Sequence, residues 1–204
     1  MITPATSSSL SQVSGDIQIL NRWIFKTIGP HIKGRTLEIN SGTNSLCTLF
    51  IEYNRPIHLC DTNQAHLQDL QQTYKDNRLV RSVHDFDLMS SHFKESHPDT
   101  LDAFDTVIAL NVSVPDFGKM VGNIKYVLPE GGTMAMILPA YTSIYHGLDQ
   151  NLADWIRYNR KPISEILKFN FSILRIKYFN FYPDIKQDIF PYSGLSALLI
   201  VKNN

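Results

Sequence analysis

Apolar positions in this chain recur with two spacings, and the spacing changes from one segment to the next. Asp16–Ile32 places Ile17, Ile19, Leu20, Trp23, Ile24 and Ile28 at roughly helical intervals and meets Pro30 near its end, which predicts a helix. A short apolar strand follows at Thr36–Ile39. A helix from about Ser45 to Tyr53 then carries Leu46, Leu49, Phe50 and Tyr53 on one face. Ile57–Cys60 reads as a second strand, and either Asp61 or Thr62 can cap the next helix, which holds Leu67, Leu70 and Tyr74. A strand near Leu79–Val83 precedes the acidic stretch Asp85-Phe86-Asp87, and the polar Met89–Thr100 reads as a loop or a short irregular helix.

The second half repeats the alternation. Thr106–Leu110 is a strand ending at Asn111, and Asp116 caps a helix whose inner face is Phe117, Met120, Val121, Ile124, Val127 and Leu128. Pro129-Glu-Gly-Gly132 is a turn and Thr133–Leu138 the next strand. Tyr141–Asn159 reads as a helical, aromatic-rich insertion, Pro162–Leu167 as a further helix, and Ser172–Phe179 and Leu195–Val201 as two closing strands. Strand and helix in this order predict an α/β, doubly wound sheet in a single domain over residues 16–204. Residues 1–15 are rich in Ser and Thr, with no basic start and no apolar core, and read as a disordered lead-in rather than a secretion signal.

Composition narrows the partners. The formal net charge is zero and Lys and Arg do not cluster, which argues against a nucleic-acid partner. The longest apolar runs, such as Ser196–Val201, are too short to cross a bilayer, so no membrane role is expected. Cys47 and Cys60 are the only cysteines and lack metal-ligand spacing, which points to a reduced, cytoplasmic protein with packed, unreactive thiols and no metal.

Candidate chemistry concentrates in Arg35-Thr-Leu-Glu-Ile-Asn-Ser-Gly-Thr-Asn-Ser45, where a strand runs through an acid into a small-residue turn and a helix. In α/β sheets that order marks a nucleotide-type binding corner. Three alternating glycines would be expected; Gly42 holds one place, and Asn40 and Asn44 the other two. Asn is the non-glycine residue that best tolerates a left-handed backbone, so the turn can form. One glycine does not suit a pyrophosphate, which argues against a nicotinamide-dependent oxidoreductase.

Leu37-Glu-Ile-Asn-Ser-Gly-Thr-Asn44 resembles the first motif of the class I S-adenosylmethionine (SAM)-dependent methyltransferases, Leu-Glu-Ile-Gly-x-Gly-x-Gly. Ile57-His-Leu-Cys-Asp61, Phe104–Val112, Asn123–Gly132 and Tyr145–Tyr158 resemble later family segments in the same order. The resemblance implies a Rossmann-like sheet of seven strands in the order 3-2-1-4-5-7-6, the last strand antiparallel. It implies SAM as cofactor and a small-molecule acceptor, with oxygen favoured, and leaves a homodimer open. By position, Asp61 would accept the ribose hydroxyls, Glu38 would face the methionine ammonium, Asp87 (or Asp85) the adenine amino group, and Asn111 the sulfonium side. Competing readings are a helix cap for Asp61, a buried acid tied to backbone amides for Glu38, a solvated acidic turn for Asp87, and a turn residue for Asn111.

A base is needed only where the acceptor arrives protonated. His146 is the candidate, with Tyr141, Tyr145, Asp149 and Asp154 as acceptor contacts; an exposed or structural role competes for His146. The family's Asn-Val-Leu-Glu-His is here Asn111-Val-Ser-Val-Pro115, and its Leu-Gly-His is Leu152-Ala-Asp154. These departures keep a second reading open, a catalytically inactive methyltransferase-like domain with a binding or protein-interaction role.

Overall fold

The computed structural model describes residues 7–42, 45–110, 117–139, 164–165, 167–168, 170–179 and 196–204. Seven strands form one sheet: β1 (Thr36–Ile39), β2 (Ile57–Cys60), β3 (Val80–His84), β4 (Thr106–Ala109), β5 (Thr133–Pro139), β6 (Phe171–Phe179) and β7 (Ser196–Asn203). Their order is β3-β2-β1-β4-β5-β7-β6, as the family resemblance implied. β1 to β5 run parallel, and β7 lies antiparallel between β5 and β6.

Alternation along the central strands divides the core into two layers. Leu37, Ile39, Val107, Ala109, Met134 and Met136 face α5 (Phe117–Val127), which contributes Phe117, Met120, Val121 and Ile124. Ile108, Leu110, Ala135, Ile137 and Ile200 face the other way. They meet Ile24, Phe25 and Ile28 of α1 (Ser7–Ile28) and Leu49 and Phe50 of α2 (Cys47–Glu52). Every residue of β1 and β4 is buried, as strands covered on both faces require.

Several boundaries differ from the sequence reading. α1 begins at Ser7 and so takes in part of the expected lead-in; its buried face is Ile24, Phe25 and Ile28, while Ile17 and Ile19, counted in the apolar spacing, are exposed. Tyr53, expected on the inner face of α2, lies beyond its end and is 58% exposed, resting on Phe25 with ring centroids 5.0 Å apart. α3 (Gln64–Tyr74) is capped by Asn63, whose Oδ1 accepts from the amides of Ala65 and His66, and not by Asp61 or Thr62. Met89–Thr100 contains the short α4 (Phe93–Ser96) and a 3₁₀ turn at Pro98–Thr100. Asp116, expected to cap α5, and the segments Tyr141–Asn159 and 161–163 lie outside the described residues.

Asn123 on α5 donates from Nδ2 to the carbonyls of Leu88 and Ser90, both at 2.9 Å, and so fixes the loop after β3 against the sheet. No helix among the described residues is long and apolar enough to cross a membrane, and no group of three metal-ligating side chains occurs among them.

Candidate functional site

The strand order reverses at β1, whose neighbours β2 and β4 lead away in opposite directions, so the cleft beyond the carboxyl ends of β1 and β4 is the place for a ligand. The turn leaving β1 forms one wall. Asn40 there has φ 59°, the left-handed conformation anticipated for an Asn in a glycine place. Ser41 is 3% exposed and laces the turn down. Its Oγ donates to the Glu38 carbonyl at 2.7 Å and accepts from the Cys60 amide at 3.2 Å, while its own amide donates to the Cys60 carbonyl at 3.0 Å.

Glu38 points from β1 toward the start of α2. Its Oε1 accepts from the Leu46 amide at 2.7 Å and its Oε2 from the Ser45 hydroxyl at 2.5 Å; Ser45 Oγ in turn accepts from the Cys47 amide at 2.9 Å. Burial dominates its titration and pushes the carboxyl up to about 7, against the pull of those two hydrogen bonds. The geometry is that of a buried acid tied to a backbone amide: Glu38 holds both ends of the turn.

Asp61 stands at the tip of β2 beside that turn, with its side chain 7% exposed. Its Oδ1 accepts from the Asn63 amide at 2.9 Å. Its Oδ2 accepts from the Gly42 amide at 2.8 Å and from His66 Nδ1 at 3.2 Å. Burial alone would raise this carboxyl, but the Asn63 and Gly42 amides and the His66 ring together hold it below the ordinary carboxylate value. Asp61 is therefore an ionised carboxylate whose Oδ1 accepts one hydrogen bond from the described residues, and the bond to His66 is the one that a side-chain rotation can release. A carboxylate acceptor so placed fits a ligand bearing hydroxyl groups.

His66, on the first turn of α3, was not a candidate from the sequence. A Cβ built on Gly42 would lie 2.3 Å from His66 Cβ and 2.2 Å from its Cγ, so the absence of a side chain at Gly42 makes room for α3. The sequence signal was the position of His66 one helical turn beyond the acid at the strand tip. Asp87 is exposed, and its Oδ1 accepts from the Met89 amide at 2.9 Å, which forms an acidic turn after β3. The Cys60 thiol is buried, is pushed up to about 12 by that burial, and donates to the Phe86 carbonyl, as expected of an unreactive core thiol. Asn44, Asn111, Tyr141, Tyr145, His146, Asp149 and Asp154 lie outside the described residues.

No family model and no curated protein sequence matches the chain. Solved structures do. The CurJ carbon methyltransferase is 16% identical with a TM-score of 0.62; the match covers 91% of this chain but spans only 53% of that one. The PH0226 protein from Pyrococcus horikoshii OT3 is 13% identical with a TM-score of 0.61, over 99% of this chain and 94% of that one. The glycopeptide N-methyltransferase MtfA, solved with SAM, is 11% identical with a TM-score of 0.61, over 89% and 86% of the two chains.

The chain has the class I methyltransferase fold. Within it, Asn40, Gly42 and Asp61 stand together at the reversal of strand order, and Glu38 lies beneath them as a brace.

Proposed function

We propose that this chain is a cytoplasmic SAM-dependent methyltransferase acting on a small-molecule acceptor, with an oxygen nucleophile favoured. The observation that carries the reading is the ionised Asp61 at the tip of β2, facing the turn of Asn40 and Gly42 where the strand order reverses. A carboxylate so placed accepts hydroxyl donors from a ribose. The turn carries no run of glycines to cradle a pyrophosphate, which favours SAM over a dinucleotide.

In this reading Asp61 binds the ribose hydroxyls, and Asp87 takes the adenine amino group with the carboxylate oxygen that Met89 leaves open. Asn40, Gly42 and Asn44 shape the wall along the methionine portion, with Glu38 acting through Ser45 and Leu46. Asn111 lines the reacting side. SAM supplies a methyl group made electrophilic by its sulfonium. The protein's share is alignment and exclusion of water, with His146 taking the proton of a hydroxyl acceptor held by Tyr141, Tyr145, Asp149 and Asp154.

A second reading has an observation of its own. Asp61 Oδ2 already holds two hydrogen bonds from this chain, and Gly42 is covered by His66, as in a methyltransferase-like domain used for binding rather than catalysis. Calorimetric titration with SAM and S-adenosylhomocysteine tests the first reading. Saturable one-to-one binding of either supports it; no heat with both at millimolar concentration overturns it and leaves the second.

A further inference from the structure

We propose that His66 sets the ligand affinity of this corner by competing with the incoming ligand for Asp61. The proposal rests on the cofactor reading above and adds a residue that this reading does not use.

The backbone of His66 is fixed, because its amide donates to Asn63 Oδ1 at 3.3 Å within the capped first turn of α3. Among the described residues its ring is anchored by one hydrogen bond, from Nδ1 to Asp61 Oδ2 at 3.2 Å, and the side chain is 34% exposed. Rotation about the side-chain torsions can therefore carry the ring into solvent without melting any helix. The Gly42 and Asn63 amides that fill the other places on Asp61 belong to the turn and the cap, and neither can leave without local unfolding.

A vicinal diol donates to both oxygens of a carboxylate. Among the described residues Asp61 Oδ1 accepts one hydrogen bond and keeps a second lone pair, whereas Oδ2 accepts two and gains a place only when His66 lets go. Ligand entry and the His66 contact are thus mutually exclusive at one atom. The Cβ of His66 stays over Gly42 whichever way the ring turns, because it belongs to the fixed helix. Gating is confined to the ring, and the close approach to the glycine backbone that a pyrophosphate needs remains blocked.

The test is calorimetry with S-adenosylhomocysteine and SAM on the parent, His66→Ala and His66→Asn. Alanine keeps the helix and removes the donor, and its affinity should rise at least about fivefold. Asparagine restores an amide donor near the position of Nδ1 and should stay within about twofold of the parent. Equal affinity in parent and alanine variant, with a retained melting temperature, overturns the gate alone; so does a weaker alanine variant, which would make His66 a ligand contact. An asparagine variant that gains as much as alanine overturns the role given to the hydrogen bond. No binding in any of the three proteins overturns the cofactor reading, and the gate with it.

Discussion

Gly42 and His66 share one space: a side chain on the first could exist only if the second moved, since their Cβ atoms would stand 2.3 Å apart. The glycine that looks like part of a ligand cradle serves the packing of α3 against the turn after β1.

That relationship gives the first prediction. Gly42→Ala should lower unfolding free energy by about 1–3 kcal/mol through overpacking, because the clash involves a Cβ fixed to the helix and no rotamer relieves it. Adding His66→Gly should recover part of the loss. Chemical denaturation of the two single variants and the double variant measures the coupling, and strict additivity would rule out the shared space.

Asp61→Ala removes one carboxylate from two backbone amides and from the ligand. Affinity for S-adenosylhomocysteine should fall by about 1.5–3 kcal/mol, the worth of charge-assisted hydrogen bonds. The melting temperature should fall too, since the Gly42 and Asn63 amides lose their acceptor. A lower melting temperature with unchanged affinity would reduce Asp61 to a structural role.

Glu38 predicts a pH dependence with a definite sign. Its carboxyl stands near 7 in the folded chain against about 4.3 when exposed. Between those values the folded state holds the extra proton, so stability is fully present below about 4.3 and is lost as pH rises toward 7. The loss is on the order of 3 kcal/mol. Glu38→Gln, whose amide can still accept from Leu46 and donate to Ser45, should flatten this slope. Urea denaturation from pH 4.5 to 8 checks it, and equal slopes in parent and variant would refute it.

Asn40 carries a left-handed backbone, which alanine resists and glycine accepts. Asn40→Ala should destabilise by about 1–2 kcal/mol, and Asn40→Gly should remain close to the parent in thermal melts. Loss in both variants would show that the Asn side chain, rather than its backbone freedom, is what matters there.

The fold was legible because each element declares itself locally: strand and helix alternate, and a turn signal such as Pro129-Glu-Gly-Gly132 stands between them. The left-handed turn at Asn40 was legible for the same reason. The site was less so, because its contacts are decided between elements. By residue type Asp61 and Thr62 could each cap α3, but Asp61 is engaged by Gly42 and the cap is Asn63. Glu38 offered two roles in sequence, and its burial beneath Ser45 and Leu46 selects one. His66 carries no motif; its importance arises where α3 lands on the turn after β1.

The interior placement of β7 has a consequence for synthesis. Among the described residues β6 bonds only to β7, so Phe171–Phe179 leaves the ribosome before its partner strand Ser196–Asn203 has been made. At about 5–20 residues per second that wait lasts on the order of seconds. During it, the antiparallel edge of β5 and the apolar residues of β6 are both open to wrong partners. The nascent chain is therefore most vulnerable to aggregation in the interval between the making of β6 and of β7, after the parallel half of its sheet has already been made.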